Sequence, residues 1–505
     1  MTDASNTQRN KKLTKRILIE VIVAIAILAP AIYVCVNLKP IIIGQVLKIV
    51  ELKPNSQGYE TWLSPPTTIT RGYHLFNISN PMEIVTDPAP TTIRLKETRA
   101  YDYHLFATKK DIRWSDDNKA LSYSIYRVFN RHSTKFEPSA VNDTGIFVDL
   151  LRAIFRTQFE SRPASSFFDL GGNNAFNYGN AIEQLEGFTS PLFETVREKM
   201  TGPNTAKSGF IYRYNGSRSY NFTIRSGLME KGQVLSFASE NVPFSFSSPD
   251  KYPVTIYDGL TFVPMLFDKP VMHIFQADFC RPITVKFNRV LTMFSGIDVH
   301  EYVIKFLDFD QCTNINDINT CPELDKLDVS KCISATLPDN TVFLSKPHFY
   351  GASNETMEKL NIEGFTPTRD QHEALIYFEP YSGTPLRAHH RIQLNIDATI
   401  DPMKQSEYGS ELTPTKRRGV RRMIPLVWID QEVNIDDATI GKLRLVHLAI
   451  RYGKVVIMVA AILLIILIIG ILECLAKRAT RKERRQRGGH QKEDPLMQQM
   501  TSVNQ

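Results

Sequence analysis

Two long apolar runs, one near each end of the chain, dominate its hydrophobic pattern. They occupy residues 17–38 and 454–475, and the stretch from Val455 to Leu472 in the second run has no charged side chain. About 22 residues form roughly 33 Å of helix, which is enough to cross the core of a bilayer. A secretory signal peptide is the alternative for the first run. That run is longer than an ordinary signal core and Pro30 is not followed by a clean cleavage site, so we expect two retained transmembrane helices.

The charge pattern predicts on which side of the membrane each part lies. Residues 1–16 carry five basic and one acidic side chain, and residues 477–505 carry eight basic and three acidic ones. The positive-inside rule therefore places both tails, 1–16 and 476–505, in the cytoplasm, and residues 39–453 outside or in a lumen. The tails account for more than the whole formal charge of +7. The remaining chain is nearly neutral, which argues against a nucleic-acid partner.

The exposed domain shows the alternation that is typical of half-buried strands. The segment Arg391–Asp397 alternates strictly between polar and apolar residues, and Tyr220, Phe222 and Ile224 form a second example. Such patterns predict a mainly antiparallel sheet with one face on the core. The fold class that we predict is therefore α+β, with a large antiparallel domain between two transmembrane helices.

Residues 146–200 differ from this pattern and predict a helical insert. Five apolar residues recur at spacings of three and four, which marks one face of an amphipathic helix; they are Phe147, Leu150, Leu151, Ile154 and Phe155. A further helix is expected near residues 181–199. The insert is either a pair of helices that pack on the core or a cap that faces a ligand.

Cysteines and glycosylation sequons agree with an exposed domain. Four cysteines lie close together in it, and outside the cytosol they would form two disulfides in one of three connectivities; they are Cys280, Cys312, Cys321 and Cys332. A zinc site is the alternative, but no Cys-x-x-Cys pair is present. All five sequons also lie between the two apolar runs, at Asn77, Asn142, Asn215, Asn221 and Asn354.

Several short motifs, in a fixed order, resemble those of the class B scavenger receptor family over nearly the whole exposed domain. The motifs are Trp62–Pro66, Phe76–Pro81, Leu185–Phe188, Asp258–Gly259, Phe279–Arg281, Leu344–Phe349, Glu379–Gly383, Arg391–Asn395 and Ile424–Trp428. Each motif is short, but their order between two terminal spans is specific.

The resemblance implies a fold and a set of site residues. The fold would be an antiparallel β-barrel with a helical bundle at its membrane-distal apex and a lipid-conducting tunnel. The implied disulfides are Cys280–Cys332 and Cys312–Cys321. The apical ligand-binding candidates are the five apolar residues of the first insert helix together with Arg156 and Arg162.

Two functions follow from this resemblance. The first is a receptor that binds and transfers lipids such as fatty acids, sterols or lipoprotein lipids, driven by apolar burial. The second is a phagocytic, adhesion or enzyme-trafficking receptor that uses the apical helices to bind a protein. A two-span ion channel fits the topology, but such channels usually have more cysteines outside the membrane. The expected location is the plasma membrane, with the endosome or lysosome membrane as the alternative.

Other candidate features of the sequence have ordinary explanations or remain open. No catalytic motif accompanies the histidines at 348, 372, 389 and 390, so we expect neither an enzyme, a metal site nor a cofactor. Residues 416–422 form either a solvated basic loop or a contact with anionic headgroups. Cys474 lies at the cytoplasmic end of its span, where palmitoylation occurs. Leu496 and Met497 loosely resemble a dileucine sorting signal.

Overall fold

The computed structural model describes residues 2–490, apart from residues 159–174, 190–206, 213, 241–243, 248–253, 309–310, 312–319, 334–337, 406–411 and 416–417. The chain divides into two compact units. We call Met1–Gln45 together with Arg444–Gln505 the helical unit, and Val46–Leu443 the sheet unit.

The helices of the described residues differ greatly in length, because the first and last contain the apolar runs and the others are short connections. They are α1 Thr2–Ile49, α2 Gln57–Leu63, α3 Pro81–Thr86, α4 Leu150–Gln158, α5 Ala181–Glu186, α6 Ser330–Ile333, α7 Asn354–Leu360, α8 Arg369–His372 and α9 Asp437–His490.

The strands lie between α1 and α9. They are β1 Thr67–Ile78, β2 Ile93–Glu97, β3 Tyr101–Trp114, β4 Ala120–Arg131, β5 Thr144–Val148, β6 Phe176–Asn180, β7 Phe188–Thr189, β8 Lys207–Ser208, β9 Ser217–Arg225, β10 Val234–Ser239, β11 Ser245–Ser247, β12 Ile256–Tyr257, β13 Val271–Gln276, β14 Arg281–Met293, β15 Ile297–Lys305, β16 Lys326–Asp328, β17 Val342–Ser345, β18 Ile362–Glu363, β19 Leu375–Glu379, β20 Thr384–Ile400, β21 Met403–Gln405, β22 Leu412–Pro414 and β23 Val420–Ile435.

The helical unit is an antiparallel pair formed by α1 and α9. Arg16 Nη2 lies 2.9 Å from Glu473 Oε1 at one end, and Cys35 Sγ lies 3.5 Å from the Lys454 carbonyl oxygen at the other. Both helices are long and apolar enough to cross a membrane, over Thr14–Ile49 and Asp437–Lys482. Most of their large apolar side chains are exposed, as expected for a surface that lipid would cover.

The sheet unit contains one 17-stranded, mostly antiparallel sheet. Its main ladder has the order β11-β10-β9-β4-β3-β1-β23-β20-β19-β15-β14-β13-β12. An isolated bridge joins Gln233, the residue before β10, to Tyr257 of β12. The α+β fold with a large antiparallel sheet is confirmed. The described strand pairings do not close it into a continuous barrel.

The alternating segments lie where the sequence predicts strands. Arg391–Asp397 belongs to β20, which pairs with β23 from Arg387 opposite Asn434 to Ile400 opposite Val420. Tyr220, Phe222 and Ile224 lie on β9 with buried side chains. Successive strand residues point to opposite faces, so one set of side chains from each strand enters the core.

The described part of the insert contains strands as well as helices, and the prediction that Phe147 lies on the face of its first helix is wrong. Phe147 lies on β5, opposite Asn177 of β6. The helix starts after Asp149, whose Oδ1 accepts a hydrogen bond from the Arg152 amide at 3.0 Å. A capping aspartate therefore separates the strand from the helix, although the apolar spacing runs through both.

The predicted second insert helix is interrupted after Glu186. The α5 helix begins after Asn180, whose side chain accepts hydrogen bonds from the Ile182 and Glu183 amides. It ends at Glu186, because Gly187 has a φ of 122° and reverses the chain into β7. The expected continuation from 190 to 199 lies outside the described residues.

One disulfide and a buried ion-pair network fix the same part of the sheet unit. Cys280 is bonded to Cys332 with a Cα–Cα distance of 5.5 Å, which is the pairing that the family resemblance implies. Asp278, two residues earlier, lies 2.6 Å from Arg127 Nη1 and 3.1 Å from Arg71 Nη2. Burial would raise the pKa of Asp278, but these guanidinium groups outweigh burial and hold that pKa below its ordinary value.

Candidate functional site

An apolar cavity lies between the main sheet and the insert. Its volume is about 60 Å³. Its lining consists of Leu75, Phe76, Phe147, Val148, Leu150, Gln184, Phe188, Gly209, Phe210 and Leu426. Apart from Gln184 and Gly209 these residues are aliphatic or aromatic, so apolar burial is the main interaction that the cavity offers.

The main sheet and the insert both contribute residues to the cavity. The floor comes from β1 and β23, which pair with Leu75 opposite Val427. The cover comes from β5, from the first residue of α4, and from α5 with the segments that follow it. The insert packs on the sheet through side chains. Strand pairing does not set the spacing between these side chains and those of the sheet, and this leaves room for the cavity.

A buried ion pair fastens α4 to the sheet beside this cavity. Arg156 Nε lies 2.6 Å from Asp401 Oδ2, and Arg156 Nη2 lies 2.8 Å from Asp401 Oδ1. Arg156 is only 7% exposed. A bidentate pair of this kind is strongly oriented and holds the helix in one position. Arg156 is thus committed to Asp401 rather than presented on the surface.

A histidine cluster lies under the cavity floor. The Phe76 ring, which lines the cavity, is 5.8 Å from the His348 ring. Glu97 lies 2.7 Å from both His348 Nε2 and His74 Nδ1. Burial alone would raise the pKa of Glu97, but its hydrogen bonds from these histidines outweigh burial and hold that pKa below its ordinary value.

His372 completes this cluster by stacking on His348, with the ring centroids 4.3 Å apart. Its Nδ1 accepts a hydrogen bond from the Thr368 amide at 2.9 Å, so the ring is held in its neutral form. Burial, together with the neighbouring His348, lowers the pKa of His372 to about 4. These contacts are those of histidines that hold structural segments together.

The structure brings together some of the predicted ligand-binding residues and separates others. Phe147 and Leu150 line the cavity, whereas Ile154 packs against the adjoining core. Phe147 is 5% exposed, so its ring does not lie on the protein surface where a protein partner would contact it. The side chains of Leu151 and Phe155 and all of Arg162 lie outside the described residues.

Other predicted sites are distributed over the molecule. Asn142, Asn215 and Asn354 are exposed, whereas Asn77 and Asn221 are half-buried and hydrogen-bonded to protein groups. Cys474 is exposed on α9. Cys312 lies outside the described residues, so its bridge to Cys321 stays a prediction.

The basic loop and the proposed sorting signal are only partly described. In the loop, Arg421 pairs with Asp397 at 3.2 Å and Arg422 donates to backbone carbonyls including that of Thr91. Residues 416 and 417 and the proposed sorting signal at Leu496 and Met497 lie outside the described residues.

Most of the cavity lining is not among the predicted ligand-binding residues, although three of its residues lie in the family motifs. Phe76, Phe188 and Leu426 each belong to one of the short motifs that carried the family resemblance. These motifs are far apart in the chain and meet at one cavity. Their convergence was the available signal, but it could be recognised only after the fold was known.

The family model described as the CD36 family matches residues 21–475, which is most of the chain and both apolar runs. The chain belongs to the CD36 family. The resemblance to class B scavenger receptors is thereby confirmed, and the protein is a scavenger-receptor-like membrane protein with two candidate transmembrane helices.

Relatives of this CD36-family chain are distant in sequence but similar in length. It is 22% identical over 459 residues to sensory neuron membrane protein 1 of Apis mellifera, covering 83% of this chain and 84% of the relative. Identity to lysosome membrane protein 2 of Homo sapiens is 23% over 418 residues, covering 79% and 81%. Identity to scavenger receptor class B member 1 of Sus scrofa is 24% over 420 residues, covering 79% and 77%.

Proposed function

We propose that this protein is a receptor that binds the apolar part of a lipid in the cavity between the sheet and the insert, and passes the lipid towards the membrane. The observation that carries this proposal is that eight of the ten lining residues are aliphatic or aromatic. Burial contributes about 0.8 kcal/mol per CH2 group, so an acyl chain needs no catalytic or ionic partner to bind.

The size of the cavity limits which part of a lipid it holds. Complete pockets for small molecules measure roughly 300–1,000 Å³, whereas this cavity has about 60 Å³. It therefore takes the end of an apolar chain or a small branched group. The rest of the lipid would extend beyond the cavity, and the α4 helix held by Arg156 and Asp401 would keep the chain end enclosed.

The proposed topology places the sheet unit outside the cytoplasm. The antiparallel pairing of α1 and α9 supports an arrangement in which both chain ends lie on one side of the membrane. The basic clusters at these ends favour the cytoplasmic side. The sheet unit then faces the extracellular space, or the lumen of an endosome or lysosome, which also fits its disulfide and sequons.

The experiment is photocrosslinking of a fatty acid that carries a diazirine at its chain end to the full-length protein in nanodiscs. We expect labelled peptides to contain cavity residues. Leu150→Trp fills part of the cavity and should weaken labelling about tenfold, which corresponds to the loss of about two buried CH2 groups.

The control is Leu260→Trp, because Leu260 is an exposed leucine outside the cavity lining. It should label like the wild-type protein. Equal labelling of the wild type and Leu150→Trp, or labelling confined to peptides that do not line the cavity, would contradict the proposal.

A further inference from the structure

The two helices of the helical unit bring two basic segments to the same end. The contact of Arg16 with Glu473 fixes this end, because it ties the start of the apolar part of α1 to the end of the apolar part of α9. The α1 segment before this contact carries Arg9, Lys11, Lys12 and Lys15. The α9 segment after it carries Lys477, Arg478, Arg481, Lys482, Arg484, Arg485 and Arg487.

Four of the basic residues that follow the apolar run of α9 share one face. The helix continues without a break to His490, and each residue turns the chain by about 100°. Lys477, Arg478, Arg481 and Lys482 therefore lie within an arc of about 140°. All four side chains are exposed. Because this segment is helical, the four basic residues form one positively charged surface.

Glu20 and Glu473, the acidic side chains that the structure describes at this end, are already engaged. Glu473 lies 2.9 Å from Arg16 and 3.6 Å from Lys477, and Glu20 lies 3.1 Å from Arg16. Within the described part of the chain, Arg478, Arg481 and Lys482 form no ion pair with protein. An uncompensated basic face attracts anions, and it does so most strongly where such anions are concentrated.

We propose that this basic end binds the anionic phospholipid headgroups of the adjoining leaflet. The apolar run of α9 ends only a few residues before Lys477, so the basic face is held at the edge of the bilayer. Phosphate groups are then the nearest dense source of negative charge, and a headgroup with several phosphates can contact Arg478, Arg481 and Lys482 together. An acidic protein would have to be recruited from solution, so we favour the lipid.

The test uses the full-length protein in phosphatidylcholine nanodiscs that contain a small fraction of phosphatidylinositol bisphosphate, with native mass spectrometry to measure its affinity. The variant is Arg478→Gln with Arg481→Gln and Lys482→Gln. Each neutralised cation near an anionic membrane surface weakens binding about fivefold, so we expect a loss of about 100-fold. Higher salt should weaken the wild type more than the variant.

The matched control neutralises three exposed basic residues of the sheet unit, Lys96→Gln, Arg113→Gln and Arg225→Gln, and should bind the lipid like the wild type. Equal lipid affinity of the wild type and the α9 variant would overturn the inference. So would capture of a soluble oligoglutamate peptide without retention of the lipid, which would indicate an acidic protein partner. The diazirine fatty acid should label the α9 variant normally, so this test and that of the lipid cavity can fail separately.

Discussion

Two apolar regions of the sheet unit are built from similar residues, yet one is filled and the other is open. In the first, which we call the aromatic cluster, Phe222, Phe237, Phe246 and Phe275 pack with centroid distances such as 4.6 Å between Phe237 and Phe275. In the second, phenylalanines and leucines surround a cavity of about 60 Å³.

The difference follows from the elements that supply the side chains. The aromatic cluster draws its rings from paired or nearby strands of one sheet, β9, β10, β11 and β13. Their regular spacing lets the rings interdigitate at close to the density of an organic crystal. The cavity lies where β5, two short helices and the segments next to β7 and β8 meet the sheet. Apolar composition therefore does not distinguish a packed core from a binding cavity; the geometry of the contributing elements does.

The largest expected effect is the loss of a ring from the filled region. Phe237→Ala should lower the free energy of unfolding by about 3–5 kcal/mol, because a tightly packed core cannot collapse around the vacated space. Thermal or denaturant unfolding of the full-length protein in nanodiscs measures it. Phe106→Ala is the control, since Phe106 is 53% exposed and should cost below about 0.5 kcal/mol. Similar costs for both variants would mean that the cluster is not tightly packed.

The next effect concerns the ion pair that holds α4 beside the open region. Asp401→Leu removes the carboxylate that pairs with the buried Arg156 guanidinium, and should cost about 3 kcal/mol. Replacing both partners, as Arg156→Met with Asp401→Leu, should recover most of that loss because no charge is left buried. Unfolding of Arg156→Met, of Asp401→Leu and of the double variant forms a thermodynamic cycle. Strictly additive losses would show that the pair does not act as a unit.

These regions also show what could be predicted from sequence. The two apolar runs and the strands β9 and β20 could be predicted, because their hydrophobic patterns are local and repeat over many residues. The apolar spacing of Phe147 and Leu150 predicts one helix face, because spacing alone does not reveal that a strand ends at Val148 and that Asp149 caps the following helix.

The cavity and its ion pair could not be derived in the same way. Leu75, Phe147 and Leu426 meet in space from widely separated parts of the chain, and Arg156 is separated from Asp401 by 245 residues. No local pattern encodes such a contact. Only the family motifs marked some of the segments involved, and they did so without indicating what the segments form.

Acidification should lower the free energy of unfolding by a smaller amount, through one histidine near each region. His273 lies on β13 beside the aromatic cluster, and burial lowers its pKa to about 4. Burial, with His348, lowers the pKa of His372 near the cavity to the same value. The unfolded chain takes up these protons near pH 6.5 and the folded chain does not until about pH 4, so stability falls as the pH falls between these values.

Each of these histidines should contribute about 2 kcal/mol to the loss between pH 7 and pH 4.5. Unfolding of the full-length protein at a series of pH values measures this slope, and His273→Gln and His372→Gln should each flatten it. Above pH 7 both rings are neutral in the folded and in the unfolded protein. The wild type and the two variants should therefore show the same pH dependence of stability there. A slope that is unchanged in both variants would assign the acid sensitivity to other groups.

The smallest effect tests the comparison itself, with one substitution made in each region. Val148→Leu adds a methylene group on β5 where it lines the cavity, and Val234→Leu adds the same group on β10 within the aromatic cluster. Both sites are in strands, so the intrinsic preference of leucine cancels between them.

The cavity has room for the added group, and Val148→Leu should change stability by less than about 1 kcal/mol. The filled region has none, and Val234→Leu should cost about 1–3 kcal/mol because neighbouring rings must leave their preferred rotamers. If unfolding measurements in nanodiscs give equal values, the open region repacks as readily as the filled one, and the cavity is not a fixed feature of the fold.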